Sequence, residues 1–371
     1  MLLREHPNFQ LVREHRFLRV ELLKPHWVMS TCSINGGLRQ DLRHILNCQT
    51  CEGSALHPRA QTLHLMSRED QHTRNCDEAQ LPTTLTAELS TAANMDYVAL
   101  WDASYEDAQV TVAVTAGVEG NAGRAGDPAQ WHEGVDGYLP TKPGTINIIL
   151  LCHQSLSPGA LARAVITLTE AKSAALADLA IPSRYSTHLA TGTGTDQFAI
   201  ACPVEDPQRF HWSGHHAKLG EIIGQAVHHA VLEALRWQNG LEITRTRNLF
   251  HALGRYGLNE KMFREWLSQG SAESPQRLFL LDSVPMVIHD PHVSASAYAL
   301  AAILDRQGVG ALPESSAHEA VLWQCALLAS ALAGKPQSFG GFVQRLSELP
   351  PLPVNSLLMQ TLLWGWEAKW E

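Results

Sequence analysis

Leu219, Ile222, Ile223, Ala226, Val227, Ala230, Val231, Ala234 and Leu235 recur at the three- and four-residue steps of a single helical face. That spacing predicts a long amphipathic helix with one continuous apolar stripe, and Asn239-Gly240 supplies its stop. A stripe of this length is stable only when another layer covers it. The chain that precedes it therefore has to build that layer.

Strand signals are what precede it. Residues 17–23 and 27–32 read as strands meeting at a break around Lys24-Pro25. Asn35-Gly36-Gly37 turns the chain into an expected helix over 38–46. A His- and Cys-rich stretch without a clear pattern follows to about residue 81. Residues 97–103 and 110–115 read as an antiparallel pair, and a Gly-rich loop over 116–144 leads into an apolar strand at 145–152. Ser157-Pro158 is an N-cap and first-turn pair for a helix whose buried stripe is Leu161, Val165, Leu168, Ala175 and Leu179. One more strand, 197–202, precedes the long helix. Beyond Leu241 helical segments dominate, with a Pro-rich break at 349–353. The expected fold is α+β: a mixed, largely antiparallel sheet or sheets with helices on the outer face over residues 1–240, then an all-helical extension over 241–371.

Charge and composition narrow the function classes. With 28 Lys+Arg against 37 Asp+Glu the formal charge is -9, and no block of like charge offers a grip on phosphates. Nucleic acid is therefore not an expected partner. The first residues lack the apolar core of a signal peptide, and the longest apolar run, 320–333, is too short to span a bilayer. Seven cysteines at irregular spacing do not read as a disulfide framework. The expectation is a soluble cytoplasmic protein with no membrane partner. The 19 histidines are an excess, which by itself defines no site.

Several patterns could carry chemistry. The segment 115–128 (TAGVEGNAGRAGDP) is rich in glycine and projects Glu119, Asn121, Arg124 and Asp127, but it lacks the Gly-Lys-Ser/Thr ending of a P-loop. A plain long turn is the alternative. The segment 190–196 (ATGTGTD) sets Thr hydroxyls as donors beside Asp196, a base or orienter, or else makes a tight turn. In the first turns of the long helix, Lys218, Glu221, Gln225 and His228 share a polar stripe; Glu221 either acts in acid–base chemistry or simply pairs with Lys218. Cys48 and Cys51, with His72 and Cys76, have the spacing of four zinc ligands, yet one C-x2-C with a mixed partner reads more simply as reduced cysteines in a surface stretch. No metal site is expected. Asp290-Pro-His292 is a near miss to a cobalt-ligating D-x-H-x-x-G signature, with Ala295 where glycine belongs, and reads as chance.

Taken in order, Asn35-Gly36-Gly37, Thr91-Ala92-Ala93, Thr115-Ala116-Gly117 with Asn121 and Arg124, Gly144-Thr145-Ile146-Asn147, Glu170-Ala171-Lys172, the 191–196 loop and Lys218-Leu219-Gly220-Glu221 resemble the adenosylcobinamide amidohydrolase family, CbiZ type, in its longer bacterial form. The resemblance implies hydrolysis of the amide joining the aminopropanol arm to a corrin-ring propionate, giving adenosylcobyric acid, in corrinoid salvage and remodelling. The cobalt corrinoid is then substrate, and no cofactor is implied.

No catalytic set comes with the resemblance, so roles follow from what amide hydrolysis needs. Asp196 or Glu221 would activate water or a Thr hydroxyl, and Asn121 and Thr193 would donate to the oxyanion. Lys218 or Arg124 would hold the phosphate of a phosphate-bearing substrate or neutralise developing charge. Asn35, Gly36, Gly37, Glu119, Asn147, Glu170, Lys172, Thr191 and Thr195, from the shared motifs, are the remaining substrate-binding candidates. A non-catalytic corrinoid-binding protein and a zinc-dependent amidase stay open, as does a homo-oligomer.

Overall fold

The computed structural model describes residues 1–50, 66–129, 132, 142–205, 209–269 and 274–371. Its contacts divide the chain into Met1–Leu241 and Glu242–Glu371. The first unit is α+β and the second is helical.

In the first unit, strands β1 (Leu2–His6), β2 (Phe9–Glu14), β3 (Phe17–Leu22), β4 (His26–Ser30), β5 (Gly37–Arg39), β6 (His44–Gln49), β7 (Thr86–Thr91), β8 (Ala99–Tyr105) and β9 (Ala108–Gly117) are followed by the short β10 (Ala122–Gly123). Then come β11 (Thr145–Cys152), β12 (Ser155–Leu156), β13 (Gly192–Thr193), β14 (Gln197–Pro203) and β15 (Arg209–Phe210). One sheet has the order β1-β2-β3-β6-β7 and the other β5-β4-β14-β11-β9-β8. Neighbours are antiparallel except β6 with β7 and β11 with β14. Helix α1 (Arg68–Glu78) lies between β6 and β7, and α2 (Pro158–Asp178) between β11 and β14, as parallel neighbours require. The helix that follows, α3 (Lys218–Asn239), is the predicted long one, and Gly240 ends it with φ 60°, a left-handed conformation that favours glycine.

Period-two alternation explains the layering. In β11, Ile146, Ile148, Leu150 and Cys152 face α2 and α3, while Ile149 and Leu151 face the first sheet. In β9, Val110, Val112, Val114 and Ala116 join the helices and Ala113 joins the other side. Both faces are buried, so these strands read as continuous apolar runs rather than alternating ones. The α3 stripe is covered by this sheet. On the outer face of the first sheet, Phe17, Leu46, Cys48 and Leu81 form a small core beside α1.

The helix expected over 38–46 is instead β5 and β6. Leu38, Leu42, Ile45 and Leu46 do fall at helical steps. However, 45–48 is buried on both sides and pairs with β3 and β7, which a short apolar run cannot reveal. Cys48 is buried in β6 and not on a surface stretch, and Arg16 donates to its sulfur at 2.6 Å. Cys51 lies outside the described residues.

The second unit contains α4 (Ile243–Thr246), α5 (Leu249–Leu253), α6 (Glu260–Gln269), α7 (Pro275–Ile288), α8 (Pro291–Gly308), α9 (Glu314–Ala333), α10 (Phe339–Ser347) and α11 (Val354–Trp370) around its own apolar core. The Pro-rich break separates α10 from α11. Asp290 is the N-cap of α8, its carboxylate accepting from the amides of His292 (2.9 Å) and Val293 (3.1 Å), which accounts for the Asp-Pro-His segment. Among the described residues, no helix is long and apolar enough to cross a membrane.

Part of the histidine excess packs into the first unit. His153 lies beside the rings of His6 (4.2 Å) and Phe9 (5.4 Å), and its nitrogens face Thr111 Oγ1 (3.0 Å) and the Gln109 side chain (3.2 Å). Burial, with a smaller push from His6, lowers its pKa to about 4. Burial also lowers those of His6, His26 and His44. Between pH ~6.5, the unperturbed value, and the folded value of His153, the unfolded chain binds more protons than the folded one. The stability is therefore complete above about pH 6.5 and lost as pH falls toward 4. Thermal melts should show Tm falling by several degrees from pH 7 to pH 5, and falling less in His153→Gln. An equal fall in the variant would mean that His153 does not carry the effect.

Candidate functional site

Parallel pairing sets the amino ends of β11 and β14 side by side, with Asn147 opposite Gln197. The loops entering those strands meet just outside the sheet. There β10 pairs with β13, Ala122 opposite Thr193 and Gly123 opposite Gly192, which joins the Gly-rich loop to the Thr/Gly loop.

Asp196 is the hub. Its Oδ1 accepts from Thr193 Oγ1 (2.6 Å) and the Ile146 amide (3.1 Å), and its Oδ2 accepts from the Thr193 amide (3.0 Å) and from Lys172 Nζ. Lys172 reaches it from α2, and the two side chains are only 11% and 16% exposed. A lysine so covered needs a charge partner. Space for the pair depends on Gly192: a Cβ there would stand 2.3 Å from Asp196 Oδ2 and 2.7 Å from Lys172 Nζ.

A second layer of polar side chains holds the loops. Asn121 is buried; its Nδ2 donates to the Gly144 carbonyl (3.2 Å) and Thr195 Oγ1 (3.4 Å), and its Oδ1 accepts from the Tyr185 hydroxyl (2.6 Å). Thr195 Oγ1 donates to the Gly144 carbonyl (2.8 Å), and Thr145 Oγ1 donates to the Thr195 carbonyl (2.6 Å). Thr191 Oγ1 accepts from the Ala125 amide (2.8 Å), and its carbonyl accepts from Ser173 Oγ (2.9 Å). Arg124 is exposed on the same loop, its amide bonded to Asp127 Oδ2 and its guanidinium reaching the Leu189 carbonyl at 3.5 Å. Thr193 and Thr195 are half-buried and Gly194 between them is exposed, so this edge meets solvent.

Asn121, Arg124, Lys172, Thr191, Thr193, Thr195 and Asp196 are thus drawn together from separate motifs. Thr145, from the 144–147 motif, belongs with them, and so do Tyr185 and Ser173, which are isolated polar residues that no pattern marks.

Other candidates lie elsewhere. Glu221 pairs with Lys218 at 2.8 Å in the first turn of α3, and Lys218 Nζ stands 4.6 Å above the Tyr105 ring, beside the β8–β9 hairpin turn. At the other end of α3, Gln238 accepts from the Asn94 amide and Asn239 from the Val118 amide, next to Gly117, which pairs with Thr145. From Lys218 to Gln238 the helix spans about 30 Å. Glu221 and Lys218 are therefore at the end of the sheet remote from Asp196, and one scissile bond cannot use both carboxylates. Glu170 is on another side of α2 from Lys172, about 200° round the helix. It pairs with His215 at 2.6 Å and lines a groove of about 420 Å³ between α2 and α3 with Gln225, His228 and His229.

Asn147 is fully buried between the sheets. Its Nδ2 donates to Asn47 Oδ1 (2.8 Å) and the Ser90 carbonyl (3.0 Å), and Asn47 donates to Thr115 Oγ1 (2.8 Å). It ties the layers and offers no surface to a ligand. Asn35, Gly36 and Gly37 form the β4–β5 turn, where Asn35 Nδ2 donates to the Thr83 (2.7 Å) and Thr86 (2.8 Å) carbonyls. Glu119 is exposed in the turn after β9.

The Thr193–Asp196–Lys172 chain has the form of an activated hydroxyl: a nucleophile within hydrogen-bond reach of a base, and the base oriented by a third group. Four donors occupy the roughly four acceptor positions of the Asp196 carboxylate, and the Thr193 hydroxyl is one of them. Among the described residues, the one cluster of His, Cys, Asp and Glu close enough to share a metal ion is His72, Cys76 and Glu88, built on α1 and β7 and not on these loops.

Comparison with known proteins bears on this site. An uncharacterized protein of Methanocaldococcus jannaschii is 39% identical over 166 residues, covering 42% of this chain and 64% of that protein. An adenosylcobinamide amidohydrolase of Methanosarcina mazei is 32% identical over 152 residues, covering 39% of this chain and 63% of that protein. The matched stretch spans less than two thirds of either relative. Among solved structures, a Pyrococcus horikoshii protein overlays 60% of this chain and 78% of its own at a TM-score of 0.29 and 11% identity, a likeness too loose to bear on the fold. A family profile described as adenosylcobinamide amidohydrolase (CbiZ) matches residues 3–243, which contain every element of the loop site, and the chain belongs to that family.

Proposed function

We propose that the protein is an amidohydrolase that cleaves the amide between the aminopropanol arm and the corrin-ring propionate of adenosylcobinamide or a related corrinoid. The products are adenosylcobyric acid and the free amine, and the setting is cytoplasmic corrinoid salvage and remodelling. Family membership supports the substrate class, and the observation that carries the chemistry is the Thr193–Asp196–Lys172 chain at the solvent edge of the paired loops.

In this reading Thr193 Oγ attacks the amide carbonyl carbon while Asp196 accepts the hydroxyl proton. The proton passes to the nitrogen as the C–N bond breaks, leaving an ester on Thr193 and the free amine. Water then adds to the ester carbonyl, and Thr193 regains its proton as the acid departs. Lys172 keeps Asp196 aimed at Thr193. Thr195 Oγ1, 3.4 Å from Thr193 Oγ1, and the Asn121 amide are placed to turn toward the oxyanion, and Arg124 supplies charge at the rim.

Turnover is read by chromatographic conversion of adenosylcobinamide to adenosylcobyric acid. Thr193→Val and Asp196→Asn should each lower kcat by about 100-fold or more, the scale of losing a nucleophile or its base. Thr193→Ser should retain activity and Glu221→Gln should stay within about twofold, being remote from the loops. If Thr193→Val and Asp196→Asn, folded by circular dichroism, keep full turnover, the assignment is wrong. A wild-type chain that binds the corrinoid without converting it would be a binding protein.

Gly192 gives a separate check. Its Cβ contacts with Asp196 and Lys172 are too short for either group to stay in place. Gly192→Ala should lower both Tm and turnover, whereas Gly194→Ala, which meets nothing nearer than 3.7 Å, should leave Tm unchanged. Equal melting of the two variants would show that the loop does not depend on the tight fit.

A further inference from the structure

His72 and Cys76 are one helical turn apart on α1, so their side chains share a face, and Glu88 of β7 meets that face from the sheet. All three are buried, with exposures of 5%, 0% and 8%. One donor atom from each, an imidazole nitrogen, the Cys76 sulfur and a carboxylate oxygen, lies within 4.8 Å of the other two. This arrangement answers neither the fold's apolar packing nor the loop site, and its chemistry is that of a zinc ligand set.

We propose that His72, Cys76 and Glu88 bind a thiophilic divalent cation, Zn²⁺, through Nδ1, Sγ and Oε2, with the fourth tetrahedral position open to water. His72 Nδ1 stands 3.0 Å from Glu88 Oε2 and 3.8 Å from Cys76 Sγ. With zinc bonds of about 2.0–2.3 Å, tetrahedral donor-to-donor edges are about 3.3–3.7 Å, so the nitrogen and oxygen are already near their places. Sγ is also 3.7 Å from Nε2, which sets it over the ring, and a rotation of the Cys76 side chain toward the Nδ1 edge completes the set.

The surrounding partners select the right atoms. His72 Nε2 is 3.0 Å from the Thr83 carbonyl, which keeps a proton on Nε2; Nδ1 faces the Glu88 carboxylate in the metal-free chain and is the nitrogen that gives up its proton when the ion binds. Asn75 Nδ2 donates to Glu88 Oε1 at 2.6 Å and leaves Oε2 facing the imidazole. Arg16 donates to Asn75 Oδ1 at 2.8 Å and fixes that amide in turn. Cys48, which the sequence spacing grouped with His72 and Cys76, is not in this ligand set; its sulfur accepts from Arg16.

The test uses the full chain, freed of metal with a chelator and titrated with Co²⁺ and then Zn²⁺. One equivalent of Co²⁺ should give ligand-field bands and a thiolate-to-cobalt charge-transfer band that Zn²⁺ displaces. Cys76→Ser should abolish the charge-transfer band, His72→Ala and Glu88→Gln should weaken binding at least tenfold, and Cys48→Ser should leave the band intact. A wild-type chain without the band, or a band that persists in Cys76→Ser, overturns the proposal and leaves a buried imidazole–carboxylate pair. Should Cys76→Ser fail to fold, X-ray absorption of the zinc-loaded wild type decides: one sulfur in the first shell supports the site, and none or several overturns it.

Discussion

Every residue of β11 is buried, and the first unit is arranged around that fact. A strand covered on both faces cannot take polar side chains unless each finds a partner in the interior. Its two strongly hydrogen-bonding side chains follow that rule: Thr145 donates to the Thr195 carbonyl, and Asn147 sits in mid-core where Asn47, Ser90 and Thr115 provide a polar network across the two sheets. That network fixes which end of the first sheet faces the amino ends of β11 and β14. Ser90 strengthens the alignment, its amide donating to Gln197 beside Asp196 at 2.8 Å. The position of the loop site is thus a consequence of how the two sheets are pinned.

Much of this was legible from residue order, for reasons that differ by element. The α3 stripe and its Gly240 stop are local signals, and so are the Ser157-Pro158 cap and the β8–β9 pair. Helix against strand at 38–46 was not legible, because four apolar residues at helical steps also suit a doubly buried strand, and only the β3 and β7 neighbours decide. The residues near the amino terminus that form β1 and β2, and the helix α1, carry mixed polar and apolar positions whose burial depends on tertiary partners.

The candidate site was legible as a set of motifs and illegible as a place. Thr193, Asp196, Asn121 and Lys172 belong to motifs far apart in sequence, and only the β10–β13 pairing and the parallel β11–β14 step bring them together. Glu221 looked equivalent to Asp196 because spacing along a chain carries no information about which end of a helix meets which end of a sheet. The direction in which α3 runs back along the sheet sets them apart. Tyr185 closes the Asn121 amide from a segment with no periodicity at all, which is why no pattern could have named it.

The Lys172–Asp196 pair explains why these loops can be rigid at a solvent edge. Burying either ion alone costs several kcal/mol, and the cost is offset only when attraction and further hydrogen bonds act together. Here three donors besides the lysine converge on one carboxylate, two of them backbone amides, one from the start of β11 and one from the Thr193 loop. The charge pair and the loop conformation are therefore conditional on one another: release of the Thr193 loop would strip Asp196 of two bonds, and loss of Lys172 would leave a carboxylate with its amides but no counter-ion. Such mutual dependence holds the Thr193 hydroxyl in one rotamer beside the Asp196 carboxylate. A threonine suits that role better than a serine, since its branched side chain restricts χ1 and removes rotamers that would turn the oxygen away.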